Sequence, residues 1–123
     1  MDVYINRGIA KSDLGDKKGA IADYTEAIRV NPKIAFNYDF QGLAKHDLGD
    51  YQGAIADYNE TVRLRSNVAA PYLHRGLSKK ALGDKQGALV DLQKAAQLFQ
   101  KQGQIDWYQS TLKSIAEIQK SLQ

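Results

Sequence analysis

The sequence predicts an all-α solenoid of three helix–turn–helix repeats followed by a seventh helix. Three observations carry that prediction. A turn of the form Gly-Asp-x-x-Gly-Ala occurs at residues 15–20, 49–54 and 83–88, a step of 34 residues each time. Other trios keep the same step: Tyr4, Tyr38 and Tyr72; Gly8, Gly42 and Gly76; Lys11, Lys45 and Lys79; Leu14, Leu48 and Leu82; Asp23, Asp57 and Asp91. Nine of the ten glycines fall into such trios, so the period runs without insertions. A fixed period of roughly 20–50 residues marks a repeat array, in which a unit buries its apolar face against its neighbour.

Each period reads as two helices. In the first, predicted over 3–14, Val3, Arg7, Ala10 and Leu14 share a stripe, with Tyr4, Gly8 and Lys11 beside it. Gly15 suits the left-handed residue that closes a helix, and Asp16 suits the N-cap of the next. Gly19 stands where a glutamate would complete a capping box, which leaves that cap half built. Over 17–30, Ala20, Ile21, Tyr24, Ala27 and Ile28 form an apolar stripe at helical spacing, and Pro32 marks its end. The period places further helices at 37–48, 51–64, 71–82 and 85–100. A seventh over 104–121 puts Ile105, Tyr108, Leu112, Ile115 and Leu122 on one face, with Gln109, Lys113, Glu117 and Lys120 solvated. It reads as a cap over the last repeat's open face. The chain is thus read as one domain, 1–123, with repeats 1–34, 35–68 and 69–102 and a capping helix 103–123. No matching cap precedes the first repeat, so the segment reads as excised from a longer protein, with Met1 added.

Composition narrows the function classes. The 123 residues hold no cysteine, which removes disulfide scaffolds, zinc–thiolate sites and thiol nucleophiles. Net charge is +3, distributed as +1 over 1–34, −2 over 35–68 and +4 over 69–123. No block of five or six like charges occurs, which disfavours a nucleic-acid partner. Lys79, Lys80, Lys85, Lys101, Lys113 and Lys120 read as a solvated face. Mean hydropathy is −0.49, and no run approaches the roughly 18 apolar residues of a membrane span. The N-terminus lacks the basic and apolar blocks of a signal peptide. The expectation is no membrane insertion; the compartment stays open, with the cytoplasm favoured.

The repeat resembles the tetratricopeptide repeat, whose signature runs W-x2-L-G-x2-Y…A-x3-F…P. Repeat one reads Tyr4-x2-Arg7-Gly8-x2-Lys11…Ala20-x3-Tyr24…Pro32. Repeat two reads Tyr38-x2-Gln41-Gly42-x2-Lys45…Ala54-x3-Tyr58, with Ser66 for the proline. Repeat three reads Tyr72-x2-Arg75-Gly76-x2-Lys79…Ala88-x3-Leu92, with Gln100 for the proline. Small Gly8, Ala20 and Ala27 let the two helices of a repeat approach, and Tyr4 and Tyr24 fill the space around them. Two departures matter: Arg7, Gln41 and Arg75 replace a leucine, and Lys11, Lys45 and Lys79 replace a tyrosine. A buried charge needs a partner. Either Arg7 pairs with Asp23 and Arg75 with Asp91, or these side chains all reach solvent.

The resemblance implies a right-handed α-solenoid whose first helices line a concave groove that binds a peptide or helix. Carried over residue by residue, the partner-binding groove comprises Ile5, Ile9, Asp39, Phe40, Leu43, His46, Asp47, Leu73, His74 and Leu77, with Asp2, Asn6, Ser12, Asp13, Phe36, Ala70, Lys80 and Ala81 beside them. Ile9, Leu43 and Leu77 recur in phase. They form either exposed groove or inter-repeat core. The family's carboxylate clamp for chaperone tails would fall on Ile5, Ile9, Phe40, Ala70 and His74, or one repeat later on Asp39, Leu43, His74, Gln104 and Tyr108. Neither set supplies the cationic and amide donors that a free carboxylate needs. Asp13, Asp39 and Asp47 suit instead a protein partner that is apolar with some basic character. The expected function is a scaffold or adaptor, and the alternative is self-association through the uncapped N-terminal end.

Catalysis finds no support. His46 and His74 stand nearly two helical turns apart along neighbouring helices, and Asp47 points away from His46 as an adjacent helical residue. The Gly-Asp-x-x-Gly turns lack the Gly-Lys-Ser/Thr ending and preceding strand of a phosphate loop. No catalytic residue, cofactor or metal is therefore expected. Trp107, the only tryptophan, is expected to pack on the third repeat.

Overall fold

A computed structural model describes residues 2–123, and Met1, expected as an added residue, lies outside the described residues. Seven helices and no strand occur among them: α1 (Val3–Asp13), α2 (Lys17–Val30), α3 (Ala35–Asp47), α4 (Tyr51–Leu64), α5 (Ala69–Ala81), α6 (Lys85–Lys101) and α7 (Ile105–Ser121). They form two compact units, an N-terminal one of α1 to α4 ending at Ser66 and a C-terminal one of α5 to α7 beginning at Asn67.

The turns inside the repeats follow from their residues. Gly15, Gly49 and Gly83 all take positive φ, the left-handed conformation that costs glycine no steric penalty. Asp16, Asp50 and Asp84 then cap α2, α4 and α6, each carboxylate accepting from the backbone N–H three residues on at 2.9 Å. The cap is one-sided, as the glycine at its third position implies, since Gly19 has no side chain to return a bond; a Cβ there would press into the Asp16 carboxylate. Helices α3 and α5 begin two residues earlier than the sequence suggests. Ala35 and Ala69 are buried there, and Pro71 falls in a first turn, where its missing N–H has no intrahelical partner to lose.

In the N-terminal unit the core is built from Ile5, Ala20, Tyr24, Ala27 and Ala44, with Tyr4, Ile9, Ile21 and Phe40 packed against them. The expected α1 stripe is corrected. Val3 and Leu14 are 75% and 87% exposed, and Ile5 and Gly8 are the residues turned inward. The reason is a close approach: a Cβ on Gly8 would lie 2.5 Å from the Tyr24 ring, and one on Gly42 would lie 2.5 Å from the Tyr58 ring. Each first helix presents its glycine to the second; Leu14, Leu48 and Leu82 are exposed, and the position of exposed Val3 is buried as Asn37 in α3 and Pro71 in α5.

In the C-terminal unit Leu73, Leu89, Leu92, Leu98, Phe99, Ile115 and Ile118 form one cluster. Helix α7 packs on α6. Its buried face is Thr111, Ile115 and Ile118, whereas Ile105, Leu112 and Leu122 of the expected face are exposed. The inward residues are three and four apart, so the face lies beside the one read from the sequence.

The recurring aspartates are buried and ion-paired. Asp23 accepts from Arg7 Nε at 3.0 and 3.1 Å and from Nη2 at 2.6 Å, with Lys11 Nζ at 3.2 Å. Asp91 is held by the Arg75 fork at 2.7 and 2.8 Å and by Lys79 at 3.0 Å. Asp57 has Lys45 at 3.1 Å but Gln41 in the guanidinium's place. The Gln41 amide nitrogen faces the Asp57 carboxylate at 3.1 and 3.3 Å while its oxygen accepts from the Thr25 hydroxyl at 2.5 Å. The consequence is opposite in sign. Hydrogen bonding from Arg7 holds the Asp23 carboxyl below its ordinary pKa, whereas burial raises that of Asp57 despite Lys45. Asp23 thus contributes stability that is present above the ordinary carboxylate pKa and lost as pH falls. Asp57 is least unfavourable in acid, and its contribution worsens as pH rises from the ordinary carboxylate pKa through the raised value.

Three outcomes are expected. Gly42→Ala should destabilise by about 2 kcal/mol in urea titration, since the buried Tyr58 ring cannot retreat, and Gly76→Ala should cost less because Leu92 is a flexible neighbour. Asp91→Ala should cost about 3 kcal/mol by leaving Arg75 and Lys79 without their carboxylate; Asp23→Ala should cost less, because Arg7 is the more exposed guanidinium. Gln41→Arg should stabilise by on the order of 1 kcal/mol at pH 7, a gain that shrinks as pH falls through the carboxylate range. Thermal melts across pH measure that gain, and an unchanged melting temperature at pH 7 would refute the assignment of Gln41 as the weak rung.

Candidate functional site

Helices α1 and α3 share their register, so residues four and seven apart come to one face. Between them lie two hollows. The smaller, about 180 Å³, has Ile9, Phe40, Leu43 and Ala44 as its apolar surfaces and Ser12, Asp13 and Asp47 as polar ones, with Tyr24 of α2 behind. The larger, about 370 Å³, is bounded by Asp2, Ile5, Ile34, Phe36, Asn37 and Phe40. Phe40 belongs to both and stacks on Tyr24 with ring centroids 5.8 Å apart.

The electrostatics of this face are acidic. Burial raises the hydroxyl pKa of Tyr24, and the Asp13 charge adds to it. Burial likewise raises that of Tyr58, with Asp39 and Asp47 adding. Both phenols therefore stay protonated. Lys17 lies 3.4 Å from Asp47 and 2.8 Å from the Ser12 hydroxyl, so part of the Asp47 charge is compensated at the rim. An apolar floor with carboxylates above it can take an aliphatic or aromatic side chain and favours a cationic group beside it.

The residues expected from the sequence are distributed as follows. Ile9, Phe40 and Leu43 are half-buried and line the smaller hollow with Asp47. Ile5 is buried in the core and also walls the larger hollow. Asp39 follows Asn37 by two positions on α3 and acts through its charge on Tyr58. His46 meets the edge of Tyr51, with ring centroids 4.9 Å apart. In the C-terminal unit Leu73 and His74 line a hollow of about 200 Å³ with Ala70, Phe99, Gln104 and Trp107. Leu77 packs against that unit's core. Trp107 stacks on Phe99, centroids 6.0 Å apart, yet remains 56% exposed, so one face packs and the other is open. Phe36 and Asp2, two of the expected groove positions, line the larger hollow, whereas Asn37 and Ile34 were not among the expected site residues. The available signal for Asn37 was an amide at a position held by Val3 and Pro71 in the other repeats. Among the described residues no group of three or more His, Asp or Glu side chains is placed to hold a metal ion. None of the described helices is long and apolar enough to cross a membrane.

The family profile described as "Tetratricopeptide repeat" matches residues 2–34 and 37–68. None of the curated proteins matches the chain. Solved structures similar to it include PcrH in complex with the chaperone binding region of PopD, at 16% identity and a TM-score of 0.93, covering 98% of this chain and 91% of that one. The first repeat domain of Spaghetti (RPAP3) bound to an HSP90 peptide is similar at 21% identity and a TM-score of 0.89, covering 98% and 90%. The Arabidopsis OM64 domain is similar at 24% identity and a TM-score of 0.84, covering 94% and 93%. These likenesses give the fold class, an all-α helical-repeat solenoid.

Proposed function

Because the chain belongs to the tetratricopeptide repeat family, we propose that it is a non-enzymatic protein-interaction module, a scaffold or adaptor that binds a peptide or helix of another protein. The observation that carries this reading is the apolar hollow of α1 and α3, floored by Ile9, Phe40 and Leu43 and edged by Asp13 and Asp47. Half-buried apolar side chains at a concave surface lose little entropy on binding, and burying them further favours association. Two of the similar structures hold a segment of another protein, which supports a protein partner.

The partner's chemistry follows from the charges. Arg7, Lys11, Lys45, Arg75 and Lys79 are engaged with buried aspartates. The positions matching a carboxylate clamp hold Ile5, Ile9, Phe40, Ala70 and His74. We therefore propose a segment with apolar anchors and some lysine or arginine, rather than an acidic chain terminus. Asp39, Asp47 and His46 would orient it on the N-terminal unit. Leu73, His74 and Leu77 would supply the corresponding surface on the C-terminal unit.

The test is capture from lysate of the source organism, comparing the wild type with a Leu43→Glu/Leu77→Glu variant shown by circular dichroism to be folded. Loss of a specific protein from the variant is the expected result. Against that partner, Leu43→Ala should weaken binding by about 1–2 kcal/mol. If both forms capture the same proteins, the first-helix faces are not the site. If only the chain itself is captured and light scattering shows a mass that rises with concentration, self-association is the function.

A further inference from the structure

We propose that the larger hollow of the N-terminal unit is a pocket for one bulky apolar side chain of an extended peptide, whose adjoining backbone carbonyl accepts a hydrogen bond from Asn37 Nδ2. The proposal rests on the reading of the chain as a peptide-binding module and names a specificity pocket within it.

The argument starts from Asn37. Its side chain is 3% exposed, and its Nδ2 finds no hydrogen-bond acceptor in the protein. Its backbone N–H is satisfied by the Ile34 carbonyl at 3.2 Å, so the mismatch belongs to the side chain alone. Buried amide donors are nearly always paired, because an unpaired one has given up its water for nothing. The repeat architecture does not demand an amide here, since the same position, equally buried, is Pro71 in repeat three. An apolar residue would fit the fold better. The amide is explained if an acceptor arrives from outside.

The surroundings say which acceptor. Asn37 forms part of the wall of a hollow of about 370 Å³ whose other surfaces are Ile5, Ile34, Phe36 and Phe40, with Asp2 at one side. That volume takes a leucine- or phenylalanine-sized side chain together with its peptide link. Water filling it would face apolar walls over most of its surface, and an ordered water needs two to four polar partners. Ile34 and Phe36 are 39% and 48% exposed, so the apolar rim is open to a ligand. The Asp2 carboxylate, which accepts from the Tyr4 backbone N–H at 2.7 Å, repels a second carboxylate. The Arg65 guanidinium lies 5.8 Å over the Phe36 ring, so the hollow has one charge of each sign at its edges; a neutral carbonyl suits that balance, and the proposed ligand is an internal segment of a chain rather than its C-terminal end. Nδ2 is covered in the free protein, so the Asn37 amide would rotate toward the hollow to donate to that carbonyl; shielded from bulk water, the bond is directional and selective for a backbone in register with the apolar anchor.

The experiment is a two-dimensional ¹⁵N–¹H NMR titration with three probes: acetyl-Ala-Phe-Ala-methylamide, acetyl-Ala-Ala-Ala-methylamide and the free acid acetyl-Ala-Phe. The blocked phenylalanine peptide should shift the Asn37 side-chain amide signals saturably. The alanine peptide should leave them in place, and the free acid should bind at least threefold more weakly at pH 7. Asn37→Val should weaken the blocked phenylalanine peptide at least fivefold while raising the melting temperature, a combination that a purely structural asparagine would not produce. Motionless Asn37 amide signals in the wild type, binding to Asn37→Val within twofold, or equal binding of the free acid would each overturn the proposal. The wild-type signals decide the question even if the valine variant fails to fold. Titrating the Leu43→Glu variant separates the two readings. If the pocket fails while a Leu43-dependent partner is still captured, only this inference falls. If Asn37 still responds and no partner is captured, the broader reading falls.

Discussion

The absence of a side chain at one point of each helix pair governs what surrounds it. At Gly8 and Gly42 the backbone of a first helix lies against a tyrosine ring of the second, closer than any Cβ allows. Tyr24 is thereby held over α1, and its ring in turn stacks on Phe40 of the next repeat. That stack gives the two hollows of the N-terminal unit their common wall. The same approach brings the first helix within reach of Asp23, sixteen residues on from Arg7. A close backbone contact therefore sets the core, the ion pairs and the exposed face together.

The ion pairs have a consequence for recognition. In each repeat a buried aspartate draws a lysine, and in two of them also an arginine, into the helix–helix seam. A buried pair of this kind adds little net stability but is costly to break. It also withdraws cations from the first helices, so that Asp13, Asp39 and Asp47 dominate the N-terminal unit's open face. Repeat two carries the lighter arrangement, because Gln41 contributes an amide dipole where Arg7 and Arg75 contribute charge, and burial raises the Asp57 carboxyl pKa.

Within that face, Phe40 separates two chemistries. On one side are Leu43, Ile9 and two carboxylates; on the other are Ile5, Phe36 and a buried amide without an internal partner. An apolar surface supplies affinity without direction, whereas carboxylates and a lone amide donor prescribe where charge and backbone must fall. On the proposed reading, specificity in this unit rests on a small number of polar groups set around a shared aromatic wall.

The period of 34 residues, the glycine-closed and aspartate-capped turns, and the Arg7–Asp23 and Arg75–Asp91 partnerships were all open to reading from the residues. They depend on local backbone conformation and on spacing that repeats. The inward faces of α1 and α7 were not. A helical stripe of Val3 and Leu14 looks apolar in projection, but the helix turns toward its partner on the side where Gly8 permits contact, and α7 buries Ile118 in place of Leu112. The first-helix positions proposed to line a groove were legible as places in a register, while their burial was not: Ile5 is core, Ile9 and Leu43 are half-open, and Asn37 became visible only when its neighbours were in place. The sequence by itself determined the helices, their caps and their recurrence, because those are governed by interactions within a few residues. Only the tertiary structure decided which side of α1 and of α7 is buried and which polar group is left unmatched, because both are set by distances between atoms that the chain brings together from far apart.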